Sequence, residues 1–451
     1  MLVDAWLARA AANTPARTAL DTPAGSWSYA ELHGAARAGA GELSARGAER
    51  GVRVAIALAP GLEFAQALHA CMLLGAVAVP LDVRAPAAER ARLAQGCAVL
   101  VEQPLAREGA PPPARAIDRA HDLGAPAAVI HTSGTTAASR PVELTYGNFL
   151  WSALGSAVAL GLDPQERWLC ALPLSHVGGL SILLRSAIYA STAVVHERFE
   201  TDRVLHALAV EEVTLVSLVA TTLDRLLEAG LRRAPRLRCA LTGGGPVPAE
   251  LLERARLAGV PVALTYGLTE ACSQVSTTPI AALAGAPPEH GAAAHASAGP
   301  PLFCTEVRIA PDGEILVRGP TVAPGARAAD GWLHTGDLGA RSPQGELLVS
   351  ARKADTIISG GENVAPAEVE AVIEAHPGVR EAAVIGRSDP RWGEAVTAIV
   401  VVRPGYEPSV EDLRAHCASA LAPYKRPKEF VLVAAPLPRT PSGKLLRRQL
   451  R

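Results

Sequence analysis

Short β-branched runs alternate along this chain with longer stretches rich in Ala, Leu and Arg. RVAIAL (53–58), AVAVPL (76–81), AAVIHT (127–132), STAVVH (191–196), VTLVSLV (213–219) and PVALTYG (261–267) are mostly apolar and read as buried strands. EFAQALHACMLLG (63–75), DRVLHALAVE (202–211) and PAELLERARLAG (248–259) lie between them with helical spacing. This alternation predicts an α/β protein whose layered, mostly parallel sheets are covered by helices. The texture changes after Asp337. GELLVSARKADTIISGGENVAP reads as a strand, a charged turn and a glycine turn, and AEVEAVIEAHPGV with REAAVIG begins a smaller α+β unit. The boundary is expected near Arg352, giving a large unit at 1–352 and a small unit at 353–451. Pro- and Ala-rich patches at 108–115 and 281–301 read as surface connections.

At 451 residues the chain is long enough for two to four units at about 150 residues each. Lys plus Arg (43) balances Asp plus Glu (44), so bulk charge points to neither nucleic acid nor an anionic membrane. The seven cysteines are scattered and never spaced CxxC, which argues against a disulfide framework or structural zinc. No apolar stretch approaches the ~18 residues of a membrane span, and the first residues lack a basic region followed by a long apolar run. The expectation is a cytoplasmic protein without a membrane span; homo-oligomerisation stays open.

The stretch TSGTT (132–136) sets four hydroxyls and a glycine after an apolar strand. Small residues there let backbone N–H groups converge on phosphate, although a capped strand-to-helix turn has the same composition. The P-loop pattern GxxxxGK[ST] is absent. ALPLSHVGG (171–179), LTGGGPVP (241–248), TYGLTE (265–270), GWLHTGDLG (331–339), ARKADTIISGGENVAPAEVE (351–370) and PRTPSGKLLRRQL (438–450) follow in that order. The ordered set, spanning nearly the whole chain, resembles the adenylate-forming superfamily of acyl-CoA synthetases, adenylation domains and luciferases.

That resemblance implies a ligase using ATP, Mg²⁺ and coenzyme A. A carboxylate attacks the α-phosphate of ATP, and a thiol then displaces AMP from the acyl-adenylate. Thr132, Ser133, Gly134, Thr135, Thr136 and Arg140 would contact the outer phosphates. Gly243, Gly244, Gly245, Tyr266 and Gly267 would enclose adenine, Thr269 would approach the α-phosphate and Glu270 would bind Mg²⁺. Asp337 would accept the ribose hydroxyls with Arg352 assisting. Lys444 would be the catalytic lysine, carried on a mobile small unit that turns about Ala354. Gly360 and Gly361 would line the pantetheine tunnel, with Lys425, Arg426 and Lys428 toward the CoA phosphates. Taken singly, each has a plainer reading: Thr269 as a helix cap, Glu270 and Arg352 as surface groups, Asp337 in an ordinary turn, and the lysines as solvated. Where the family continues Gly-x-Pro-Lys-Gly after its phosphate loop, this chain has Ala137, Ala138, Ser139, Arg140 and Pro141, which narrows the backbone conformations available.

Residues 147–189 further resemble the o-succinylbenzoate–CoA ligases of menaquinone biosynthesis. Their substrate has a succinyl carboxylate to activate and an aromatic one to recognise. GGLSILLRSAIY is apolar around its whole circumference, so Arg185 should be buried, and a buried guanidinium needs an anion. The aromatic carboxylate of the substrate fits, as would an internal salt bridge or emergence at the helix end. Ser217 is a second pocket candidate or a backbone-bonded strand serine, and His176 would border the acyl site or serve the turn. Another aryl- or fatty-acyl-CoA ligase, a carrier-protein adenylation enzyme and a catalytically weak nucleotide-binding regulator are the alternatives.

Overall fold

A computed structural model describes residues 1–109, 120–132, 140–284, 297–360, 362–440 and 445–450. Two large sheets carry the first part of the chain. In the eight-stranded sheet, Val262–Leu268, Cys239–Thr242, Leu215–Leu218, Arg167–Cys170, Thr192–Val195 and Thr18–Thr22 are neighbours in that order, and all run parallel. Antiparallel edges, Ser273–Thr277 and Gly25–Ser28, close its two sides. The second sheet orders Val99–Val101, Arg53–Ile56, Val77–Pro80, Pro126–Thr132 and Arg140–Thr145, the last antiparallel. Each run read from the sequence as a buried strand forms a strand, but Val262–Leu268 is buried only at Ala263, its carboxyl half running out to the open edge of the sheet. The helices Leu62–Leu74 and Val177–Tyr189 pack between layers and are buried on nearly every side. This is why both lack a polar stripe, and one extended apolar core joins the two sheets through them.

The described residues on either side of the TSGTT motif lie on two strands rather than on a strand and a helix. The chain leaves one strand at Thr132 and enters its antiparallel partner at Arg140, these two residues being opposite in register. Pro141 is accommodated because Arg140–Thr145 is an edge strand, where a missing N–H costs no central ladder bond. Thr145 then caps the helix Tyr146–Leu160 in a reciprocal capping box with Asn148. The Asn148 amide also donates to the carbonyls of Pro320 (2.8 Å) and Val322 (3.1 Å).

A four-stranded antiparallel sheet follows, Glu306–Ile309, Glu314–Arg318, Leu333–Arg341 and Leu347–Arg352. Beyond it, Ile357, Val369, Val384, Val396 and Leu413 belong to a separate apolar core beneath a five-stranded sheet. The helices Pro366–Glu374 and Val410–Ala420 accompany this sheet. All seven cysteines are free thiols. Among the described residues, no helix is long and apolar enough to cross a membrane. Most of the two Pro- and Ala-rich connections lies outside the described residues.

Candidate active site

Four of the sequence motifs meet at the carboxyl ends of four adjacent parallel strands, the edge at which open α/β sheets bind ligands. The PLSH segment follows Arg167–Cys170, Ser217 lies in Leu215–Leu218, the triple glycine follows Cys239–Thr242, and TYGLTE ends Val262–Leu268. Gly243 N–H donates to the Leu218 carbonyl at 3.2 Å, seating the glycine run against its neighbour. Gly267 is opposite Gln274, and a Cβ on it would stand 1.7 Å from the Ser273 carbonyl oxygen, so no other residue fits.

Tyr266, Asp337 and Arg352 form one cluster. Tyr266 O–H donates to Asp337 Oδ2 at 2.8 Å, and Arg352 Nε lies 2.9 Å from Oδ1. Burial, and then the Asp337 charge, push the Tyr266 pKa well above 10, so its hydroxyl keeps the proton it donates. The HTGD turn is pinned from behind. Thr335 Oγ1 accepts from Asp337 N–H (3.1 Å) and donates to the Ile315 carbonyl (2.7 Å), while Gly336 N–H donates to Glu314 Oε1 (2.9 Å). Lys353 ties Glu314 (3.3 Å) and Asp312 (2.6 Å) to the start of the ARKAD turn. Sequence reasoning missed Glu314 and Lys353, since nothing in their neighbourhood marks them as partners across some 40 residues.

Thr269 and Glu270 sit on a 3₁₀ turn, Thr269–Ala271. The Glu270 carboxylate, half-buried, has no ion pair or hydrogen bond among the described residues. The turn ends at Cys272 (φ 53°) and Ser273 (φ 90°), two consecutive left-handed residues that are not glycine. Such conformations persist only where their surroundings enforce them. Among the described residues, no group of three or more His, Cys, Asp or Glu could hold a metal. A lone carboxylate suits Mg²⁺, which keeps waters and substrate phosphates as its other ligands.

Arg185 is 2 % exposed, about two-thirds of the way along the buried helix Val177–Tyr189. Neither plainer reading of it holds: it does not emerge at the helix end, and among the described residues it has no carboxylate partner. Its Nη2 donates to Ser152 Oγ at 3.0 Å, Nε is buried without a partner, and the guanidinium carbon stands 5.4 Å from the Trp168 ring centroid. Desolvation lowers its pKa from the ordinary arginine value. Trp168 Nε1 donates to Ser217 Oγ at 2.9 Å, so Ser217 holds the aromatic floor under Arg185. The sequence signal for Trp168 was available: a tryptophan inside a buried strand of a chain with only 4 % aromatic residues. His176 precedes the same helix, and burial lowers its pKa against the opposing pull of Asp82.

Thr132 Oγ1 donates to the Arg140 carbonyl at 3.2 Å, and Arg140 is exposed at the strand start. Gly360 (φ 62°) donates its N–H to the Trp392 carbonyl at 2.7 Å, and a Cβ there would meet the Trp392 ring at 3.1 Å. Lys425 is paired with Glu368 (2.6 Å), and Arg426 donates to the carbonyls of Leu421 and Ala418, so both cations are already engaged. Lys428 Nζ lies 4.8 Å from the Trp392 ring centroid. Ser133, Gly134, Thr135, Thr136, Gly361 and Lys444 lie outside the described residues.

The AMP-binding enzyme family matches residues 7–104 and 97–325, and the AMP-binding enzyme C-terminal domain matches 368–444. The 2-succinylbenzoate–CoA ligase of Bacillus subtilis (strain 168) is 39 % identical over 99 % of this chain and 97 % of that protein. The solved o-succinylbenzoate CoA synthetase of Bacillus subtilis, in complex with the acyl-adenylate intermediate, superposes with a TM-score of 0.89 at 38 % identity, covering 100 % of this chain and 98 % of that one. ATP-bound MatB from Rhodopseudomonas palustris gives 0.87 at 26 % identity, with the same coverage. With four sequence motifs gathered on one sheet edge beside an arginine that has no carboxylate partner among the described residues, and with likeness over its full length, this chain belongs to the AMP-binding enzyme family, in the branch of the 2-succinylbenzoate–CoA ligases.

Proposed function

We propose that this protein converts 2-succinylbenzoate, ATP and CoA to 2-succinylbenzoyl-CoA, AMP and diphosphate through an acyl-adenylate. Arg185 carries the choice of acid: a buried guanidinium with an unpartnered Nε and no counter-ion among the described residues calls for an anionic ligand. The second, aromatic carboxylate of this substrate supplies it. The Bacillus subtilis relatives, named for this acid and solved with its adenylate, support the same choice.

The succinyl carboxylate attacks the α-phosphorus, and the bond to the bridging oxygen breaks as diphosphate leaves. The CoA sulfur then adds to the acyl carbon, losing its proton, and AMP departs. Asp337 accepts the ribose hydroxyls, oriented by Tyr266 and Arg352, while Gly243, Gly244, Gly245 and Gly267 border adenine. Thr132 to Thr136 and Arg140 receive the outer phosphates, Thr269 the α-phosphate, and Lys444 bridges the reacting oxygens. Glu270 would hold Mg²⁺, which neutralises phosphate charge when bound. His176 borders the acyl group. Residues 1–352 bind ATP and the acid. Residues 353–451 carry Lys444 and turn about Ala354, bringing Gly360, Gly361 and Lys428 to CoA for the second step. The enzyme works in the cytoplasm. Mass spectrometry after incubation with ATP, Mg²⁺, CoA and 2-succinylbenzoate tests this: the thioester and AMP are expected. ATP binding without acyl-AMP or thioester would instead make the chain a nucleotide-binding regulator.

A further inference from the structure

The acid pocket and the catalytic turn are joined by one hydroxyl. Ser152, 1 % exposed on the helix Tyr146–Leu160, accepts from Arg185 Nη2 at 3.0 Å and donates to the Cys272 carbonyl at 2.6 Å. A hydroxyl has one proton and two lone pairs, so both bonds form together, and each polarises the other. Cys272 is the first of the two left-handed residues that end the Thr269–Ala271 turn, and its N–H donates back to the Thr269 carbonyl at 3.0 Å. Arg185, Ser152, Cys272 and Thr269 therefore form a continuous hydrogen-bonded path. It runs from the helix that meets the aromatic carboxylate to the turn that bears Thr269 and Glu270.

We propose that Ser152 is a positioning residue that sets the acid pocket and the catalytic turn in register, so that recognition of the aromatic carboxylate also aligns the succinyl carboxylate with the α-phosphate. The inference rests on the Arg185 reading given above. Anchoring Nη2 on Ser152 fixes the plane of the guanidinium fork. Holding the Cys272 carbonyl maintains the strained reversal, and with it the placement of the Thr269–Glu270 turn. Without the hydroxyl, a buried donor and a buried acceptor are orphaned at opposite ends of the same bridge.

Single-turnover diphosphate release is to be measured with 2-succinylbenzoate and with 4-oxo-4-phenylbutanoate, which lacks the aromatic carboxylate. Arg185→Leu should raise KM about tenfold, and lower the adenylation rate constant, for the first acid only. Ser152→Ala should raise KM for the first acid similarly and also lower the adenylation rate constant about tenfold with both acids. Ser152→Thr, which keeps a hydroxyl, should restore both. In an Arg185→Leu background, Ser152→Ala should lower the rate constant again but add nothing to KM. Circular dichroism reports folding, and Ser152→Cys provides a near-isosteric variant should the alanine form not fold. A Ser152 effect confined to KM, or one additive with Arg185→Leu in KM, overturns the proposal. If Arg185→Leu fails to separate the two acids, the acid-site reading falls, while the rate constants of the Ser152 variants still report on the turn.

Discussion

Asp337 and Arg352 stand directly opposite each other on adjacent antiparallel strands, their ion pair (2.9 Å) leaving the second Asp337 oxygen to the Tyr266 hydroxyl (2.8 Å). One carboxylate is thus held from two sheets. Tyr266 comes from the parallel sheet and Arg352 from the antiparallel one, so the cluster orients the proposed ribose acceptor and fastens the two sheets together.

Asp337→Asn should lower kcat/KM for ATP about 10- to 100-fold, on the order of 1.5–3 kcal/mol for a charge-assisted bond. Tyr266→Phe, which removes one donor and keeps the charge, should cost less, and its loss should fall mainly on KM for ATP. Steady-state kinetics at saturating acid checks both; equal effects would mean that the tyrosine bond, rather than the carboxylate charge, holds the nucleotide.

Lys444→Ala should suppress adenylation by several orders of magnitude while sparing thioester formation from supplied acyl-adenylate, because only the first step places an ammonium at the reacting oxygens. Separate assay of the two half-reactions decides the matter. Equal loss in both would remove the lysine from its assigned role.

The segment after TSGTT invites a rebuilding test. Ala137→Gly, Ser139→Pro, Arg140→Lys and Pro141→Gly together restore the loop pattern of the family and should accelerate acyl-adenylate formation, with little change in the thiol step. Pro141 sits on an edge strand, so its replacement leaves the central ladder intact. Single-turnover rates that do not rise would mean that the natural loop already grips the phosphates.

Gly267→Ala should destabilise the protein by on the order of 3 kcal/mol or more, because its Cβ would occupy the position of the Ser273 carbonyl. Urea unfolding with a two-state fit measures the loss, and ATP affinity should fall with it. A variant of native stability would show that the pairing of Val262–Leu268 with Ser273–Thr277 can shift without cost.

Acid should unfold this protein partly through two buried histidines. His69 and His121 are 4 % and 3 % exposed, and burial depresses their pKa values from 6.5 to about 4 and about 3. Since the unfolded chain takes up protons first, their stabilisation is complete above about pH 6.5. It is lost as pH falls toward 4 for His69 and toward 3 for His121, with a slope of up to about 1.4 kcal/mol per pH unit for each. His69→Gln with His121→Gln should lower Tm at pH 7.5 yet flatten its decline between pH 6.5 and 4. Thermal melts across that range test the sign.

The order of elements and the identity of the site motifs were legible in the chain because both are local. Uninterrupted apolar runs such as AVAVPL suit only a strand covered on both faces, and glycines such as Gly267 mark close backbone approach whatever surrounds them. The sequence by itself also isolated Arg185, since a lone cation in an apolar helix demands a partner. It could not supply that partner. Whether Arg185 emerged, paired with a carboxylate or remained uncompensated depended on which helices and strands pack against it, and those contacts join residues 33 positions apart at Ser152 and 17 at Trp168. Tertiary structure alone brought Tyr266 to Asp337 across 71 residues and set Ser152 between Arg185 and the Cys272 carbonyl. Hydrogen bonds of a few ångströms are specified by the packing of whole sheets and helices, and local residue patterns carry no record of that distance.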